Sequence, residues 1–101
     1  MRTIVTSNQY KKDLKLARKR GCNETLLDDI IKRLASDIPL PKENRDHSLT
    51  GNFVGFRECH IQPDWLLIYS KETIKSKDGK IKKELKILQL VRTGTHSDLF
   101  E

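Results

Sequence analysis

Three histidines and a few carboxylates carry most of the chemistry open to this chain. His60 lies in the stretch from Gly51 to Tyr69, GNFVGFRECHIQPDWLLIY, with Glu58 two residues before it and Asp64 four after. His47 follows Asp46 in a polar segment, and His96 follows RTGT near the end. Imidazole can serve as acid or base because its ordinary pKa, about 6.5, is close to neutral pH. Three readings compete. A three-histidine metal site fits the count, yet spacings such as HxxxH or HExxH are absent. Scattered surface histidines are the bland reading. The third is metal-free cleavage of an RNA phosphodiester: a base takes the ribose 2′-OH proton, an acid protonates the departing 5′ oxygen, and cations hold the charge of the phosphorane. Asp64 or Glu58 could orient an imidazole or act as the base, and Phe100 could stack on an unpaired base.

The elements that would position these groups are legible in outline. With a period of two, Phe53, Gly55, Arg57, Cys59 and Ile61 share one face, and Val54, Phe56, Glu58 and His60 the other. Gln62-Pro63-Asp64 ends that strand, and WLLIY starts the next, so a short hairpin places Asp64 at its turn, close to His60. Upstream, RTIVT (2–6) reads as a strand. Ser7 then caps a helix from Asn8 to Arg20 with the stripe Tyr10, Leu14, Ala17, which Gly21 stops. Asn23 caps a second helix to about Asp37, with Leu27, Ile30, Ile31 and Leu34 facing inward. Ile38-Pro39-Leu40-Pro41 breaks it, and KENRDHSLTG continues as a loop that carries His47. The third strand runs to about Ser76. Lys77-Asp78-Gly79-Lys80 has the Asp-Gly pair of a tight hairpin, and Ile81–Thr93 returns. A final short helix, capped by Thr95 or Ser97, places His96 and Phe100 four apart on one face.

The expected architecture is α+β: a small antiparallel sheet with two N-terminal helices on one face, in the order β-α-α-β-β-β-α, as one domain over 1–101. The opposite face would be left free for Glu58 and His60, while the helices cover Phe53, Arg57 and Cys59. An unpaired buried Arg57 is costly, so it would reach the sheet edge. Twenty Lys and Arg against fourteen Asp and Glu give a net charge of +6 and favour a polyanionic partner. Cys22 and Cys59 show no CxxC spacing, and no apolar run approaches the roughly 18–20 residues of a membrane span. These features predict a soluble, reduced, cytoplasmic protein with no membrane partner.

RDHSLTG (45–51), GFRECHIQPDWLLIY (55–69) and RTGTHSDLF (92–100) together resemble the YafQ-type branch of the RelE superfamily of bacterial toxins. The resemblance extends to the QYKKDLKLARKR helix and covers nearly the whole chain. It implies a ribosome-dependent endoribonuclease that cuts translated mRNA and is held inactive by a cognate antitoxin. The implied fold is similar to microbial ribonucleases. His47, His60, Asp64 and His96 match the family's catalytic positions, with Asp64 or His47 as base, His96 as acid and His60 positioning substrate or stabilising charge. Phe100 matches its terminal aromatic. Glu58 stands where the family pattern has Asp, which keeps the charge and lengthens the reach. Substrate contacts would come from Glu58, Arg92, Phe100, Lys11, Lys15 and Arg18, with no metal and no cofactor. The partners would be mRNA, the ribosome through 16S rRNA, and the antitoxin in a heterotetramer, the toxin alone being a monomer. The basic 71–86 segment is longer than the family pattern. The rival class is a binder of the same fold that poisons a topoisomerase, which would not be expected to keep the three histidines and Asp64 together.

Overall fold

The computed structural model describes residues 1–78 and 81–100. Strand β1 (Thr3–Thr6) leads into helices α1 (Asn8–Lys19) and α2 (Glu24–Ala35). Four strands follow: β2 (His47–Ser48), β3 (Arg57–Gln62), β4 (Trp65–Asp78) and β5 (Ile81–Gly94), and then helix α3 (His96–Phe100). The predicted caps form: Ser7 Oγ accepts from Tyr10 N at 2.9 Å, and Asn23 Oδ1 from Thr25 N at 3.1 Å. Ser7 Oγ also donates to Val91 O at 2.7 Å, so the first cap fastens α1 to β5. Gly21, at φ +76°, ends the first helix in the left-handed conformation that glycine adopts without cost.

The five strands form one sheet in the order β1-β5-β4-β3-β2, mixed rather than wholly antiparallel, because β1 runs parallel to β5. Its remaining pairings are antiparallel. The parallel pair arises because the chain leaves β1 through two helices and re-enters at the far edge, so the hairpins that follow bring β5 back alongside β1. Of the predicted Asp78-Gly79 turn, Asp78 ends β4, and Gly79 lies outside the described residues. β2 is an addition to the expected order: His47 pairs with Glu58 and Ser48 with Arg57.

Each sheet face has its own core. On one, Tyr10 and Ala17 of α1 and Leu27, Ile30 and Leu34 of α2 pack with Cys59, Trp65, Leu67, Tyr69, Leu88 and Leu90. On the other, Leu66, Ile68 and Leu99 gather Leu49, Phe53, Phe56 and Val91. The second face is therefore not left free: α3 and the 49–56 segment cover part of it. Phe53 was expected beneath the helices and instead belongs to this second cluster. Residues 51–53 form a 3₁₀ turn, so the alternation of β3 does not extend upstream of Arg57. Glu58 and His60 do face away from the helices, opposite Ile68 and Leu66. Burial pushes the Cys59 thiol up to about 12, as expected for an inert core cysteine.

One polar knot crosses the helix-covered core. Trp65 Nε1 donates to Thr93 Oγ1 at 3.0 Å, Thr93 Oγ1 donates to Leu66 O at 2.7 Å, and Thr93 N donates to Asp13 Oδ2 at 3.2 Å. Replacing Thr93 by the nearly isosteric Val leaves a buried indole N–H without its partner and removes one bond to the Leu66 carbonyl. Thr93→Val should therefore cost about 1–3 kcal/mol of unfolding free energy in urea titrations. Thr93→Ser, which keeps the hydroxyl, should lose clearly less; equal losses would mean that the methyl, not the bonds, matters.

Candidate active site

The second face leaves an opening where three imidazoles stand in a row. His47 and His60 have ring centroids 6.4 Å apart, and His60 and His96 5.6 Å. His60 is thus the middle member. The β2–β3 register supplies one end, since His47 lies directly opposite Glu58. The β3–β4 turn and α3 supply the other. Asp64 Oδ1 accepts from both His96 N, at 3.0 Å, and His96 Nδ1, at 2.7 Å. Asp64 lies at the hairpin turn beside Pro63, whose carbonyl faces His60 Nδ1, and its carboxylate is committed to His96.

Tautomers follow from the partners. His47 Nδ1 lies 2.6 Å from Arg45 O, and His60 Nδ1 lies 3.3 Å from Pro63 O. A carbonyl can only accept, so both Nδ1 atoms carry hydrogen. Both Nε2 atoms then face the same oxygen, Glu58 Oε1, each at 3.6 Å. Glu58 is buried, and a proton on either Nε2 makes that ring a cation facing the carboxylate. At His96 the bond to Asp64 likewise puts hydrogen on Nδ1 and leaves Nε2 for a reaction partner.

Residues outside the predicted set hold this row in place. Asp46 Oδ1 accepts from Tyr69 Oη at 2.6 Å and from Arg57 Nε at 3.2 Å, while Arg57 Nη1 donates to Ser48 Oγ at 2.8 Å. These bonds fix the segment carrying His47 and give Arg57 the partners its position demands. Burial and the neighbouring Asp46 carboxylate raise the Tyr69 phenol well above its ordinary range. Asn44 Nδ2 donates to His60 O at 2.8 Å. At α3, Thr95 Oγ1 accepts from Asp98 N at 3.1 Å and Asp98 Oδ2 accepts from Thr95 N at 3.0 Å, a reciprocal capping box. Arg20 clamps that box with two bonds to Asp98, 2.6 and 3.2 Å. A side chain at Gly94 would collide with Asp98, its Cβ falling 2.9 Å from both Asp98 Cβ and Oδ2. Only the Thr95-x-x-Asp98 spacing signalled this in the sequence.

Other predicted residues lie elsewhere. Phe100 is half exposed and meets Phe53 edge-on at 5.8 Å, beside the row. Arg92 is bonded to Asp13 through Nε at 2.9 Å and Nη2 at 3.2 Å. Lys11, Lys15 and Arg18 stand on the exposed side of α1, across the sheet from Glu58 and His60, and Arg18 pairs with Glu24. Among the described residues, no group of three or more His, Cys, Asp or Glu is arranged to hold a metal ion.

Residues 2–101 match the family described as the bacterial toxin of type II toxin–antitoxin system, YafQ. The chain belongs to the YafQ toxin family. It is 40% identical over 100 residues to the mRNA interferase toxin YafQ of Escherichia coli strain K12, covering 98% of this chain and 96% of that one. In the solved E. coli DinJ–YafQ toxin–antitoxin complex, a chain 40% identical to this one superposes with a TM-score of 0.79, covering 99% of this chain and 98% of that one. A metal-bound toxin from Helicobacter pylori is 42% identical, with a TM-score of 0.79 and coverage of 99% and 100%. The α+β fold is therefore that of the YafQ toxins, and the chain is a toxin of a type II toxin–antitoxin system. No helix among the described residues is long and apolar enough to cross a membrane.

Within this YafQ-family site, charge holds the last helix. The Arg20 guanidinium, then the Thr95 N–H, keep the Asp98 carboxyl well below its ordinary value of 3.8. The His96 backbone N–H, then its ring, lower Asp64. Depressed carboxyl values mean that this stabilisation is complete above 3.8 and is lost as pH falls through the lower folded-state values. Arg20→Ala should therefore raise the Asp98 pKa toward 3.8 in a carboxyl NMR titration and lower hydrogen-exchange protection at Leu99, whose N–H bonds Thr95 O at 3.2 Å. An Asp98 that titrates as in the wild type would sink the clamp.

Proposed function

We propose that this toxin is a ribosome-dependent endoribonuclease that cuts translated mRNA by metal-independent acid–base catalysis. The observation that supports it most is the row His47–His60–His96 with Nδ1 of each ring engaged, which leaves the three Nε2 atoms for proton transfer and charge. His47 serves as base, with Glu58 behind it to favour the imidazolium that forms. It takes the 2′-OH proton, and O2′ attacks phosphorus. His96, oriented by Asp64, gives its proton to the departing O5′. One bond forms and one breaks, giving a 2′,3′-cyclic phosphate and a 5′-hydroxyl. His60, between them, stabilises the phosphorane charge, and Phe100 offers a ring on which a base can stack. Asp64 acts as the group that orients the acid rather than as the base, because its Oδ1 already takes both His96 N–H groups.

The partners on this reading are mRNA, 16S rRNA and a cognate antitoxin. The E. coli relative was solved with DinJ, and a corresponding antitoxin, in a heterotetramer, would cover the imidazole row of this chain. The toxin would act in the cytoplasm, where ribosomes are. Lys11, Lys15 and the Lys-rich 71–86 segment supply charge for rRNA phosphates. Charge reversal at Lys11 and Lys15 should weaken ribosome association more at low than at high salt, as counterion release requires. Equal effects at both salt concentrations would count against phosphate contact.

The decisive test is mapping of mRNA 5′ ends after induction of the wild type, His60→Ala and His96→Ala in a bacterial host. The wild type should give in-frame cuts in translated messages, and each variant should lose about 10²–10⁴-fold in cutting, the usual contribution of an acid–base group. Growth arrest with intact mRNA in the variants would point to a protein target instead. Because the Helicobacter pylori relative carries metal, cleavage by purified toxin on programmed ribosomes is repeated after the toxin alone is treated with chelator and desalted. Retained cutting agrees with acid–base chemistry; loss that copper or zinc restores would overturn metal independence.

A further inference from the structure

A cleft of about 440 Å³ opens beside His60, bounded by Leu26, Glu43, Arg45, Ile61, Gln62 and Pro63, with Asn44 at its side. We infer that this cleft receives the nucleobase next to the cleaved bond and sets which bases are cut, an inference that rests on the ribonuclease reading above. Its volume lies within the range of about 300–1,000 Å³ usual for ligand clefts. His60, the middle residue of the row, is among the lining residues, so a base lodged here would lie next to the strand that carries the row.

The local backbone is built to make this space. The successive residues His60, Ile61 and Gln62 all border the cleft. A bulge falls at this point: His60 pairs with Leu66 and Gln62 with Trp65, leaving Ile61 as the extra residue. Across the cleft, Arg45 sits at φ 46°, a left-handed conformation unusual for a residue with a side chain. It is held there by its own N–H bonding Lys42 O at 3.0 Å and by its carbonyl accepting from His47 Nδ1 at 2.6 Å. The bond that fixes the tautomer of His47 therefore also fixes the rim. Asn44, bonded to His60 O, ties rim to wall. Strain of this kind persists where surrounding bonds over-determine it, and here those bonds lead to the imidazole row.

The lining suits an unpaired base. Leu26, Ile61 and Pro63 offer apolar contact to a ring face, and Leu26 is exposed in the first turn of α2, where it has no core to serve. Glu43, Arg45 and Gln62 are exposed, and among the described residues their side chains form no hydrogen bond or ion pair. A guanidinium can stack on a base or donate to its acceptors, and an amide offers both a donor and an acceptor. The Glu43 carboxylate only accepts, so it favours a base with an exocyclic amino group and disfavours uracil.

The test compares base frequencies at cut sites, which are ratios within one sample and do not depend on total activity. Cut ends are mapped transcriptome-wide after induction of the wild type, Glu43→Gln, Gln62→Ala and Arg45→Ala. The wild type should show a base bias against uracil at one position flanking the cut. Each variant should weaken it, with discrimination falling on the order of tenfold, the scale of one good base contact. Glu43→Gln, which adds a donor for uracil oxygens, should admit uracil there. Unchanged base frequencies in all three variants would overturn the assignment. A shift at a position remote from the cut would do so too. A wild type that makes no cuts would overturn the ribonuclease reading itself, so the two failures are distinct.

Discussion

The contact on which the imidazole row depends most is Asp64 to His96. One carboxylate oxygen takes the backbone N–H and the ring N–H of the same residue and joins the β3–β4 turn to the start of α3. A five-residue helix has too few internal bonds to stand alone, since nucleating a helix is costly. α3 is held instead from three directions: by Asp64, by Arg20 through the Thr95–Asp98 box, and by Leu99 in the second core. The position of His96 is thus set by tertiary contacts around it rather than by the helix that carries it.

Those contacts require a firm sheet, and the helix-covered face provides it. Asp13, mostly buried, takes bonds from Arg92, Thr93 N and Gln9. A buried carboxylate that loses its cation costs far more than the pair contributes. Arg92 is therefore tied to Asp13 at the point where Val91 forms the extra residue of a second bulge, between the Ile68↔Arg92 and Tyr69↔Leu90 pairings. Beyond it, the strand runs into Gly94 and α3. Cleft and row are each flanked by a bulge, which fits the tendency of bulges to re-aim side chains beside sites.

Much of this was legible in the sequence, where local rules are strong. Caps at Ser7 and Asn23, the stop at Gly21, the Pro63-Asp64 turn and the separation of Glu58 and His60 from Cys59 all follow from residue type and period. What was not legible depends on partners distant in the chain. Phe53 fits the strand alternation on paper, but the 3₁₀ turn at 51–53 places it on the opposite face. Arg92 sits inside a motif with His96 and was expected as a substrate contact, and in the structure its guanidinium is bonded to Asp13. A clue existed: Asp13 lies on the Tyr10–Leu14–Ala17 stripe, and an acid at a core-facing position demands a cation. Nothing in the sequence named which of twenty Lys and Arg would supply it.

The exposure of the row bears on how such a site could work. Side chains of His96 and Asp64 are 54% and 65% exposed, while Glu58 and His60 are recessed at 6% and 11%. The acid end is thus in water, where a charge near the surface interacts several-fold less strongly than in a dry interior. The protein fixes its proton-transfer groups relative to one another, yet around Asp64 and His96 it leaves the site open to solvent. Much of the rate of an acid–base reaction comes from holding the substrate in line with those groups. On the ribonuclease reading, a ribosome that presents an ordered stretch of mRNA would add to that alignment and would exclude water from the acid end.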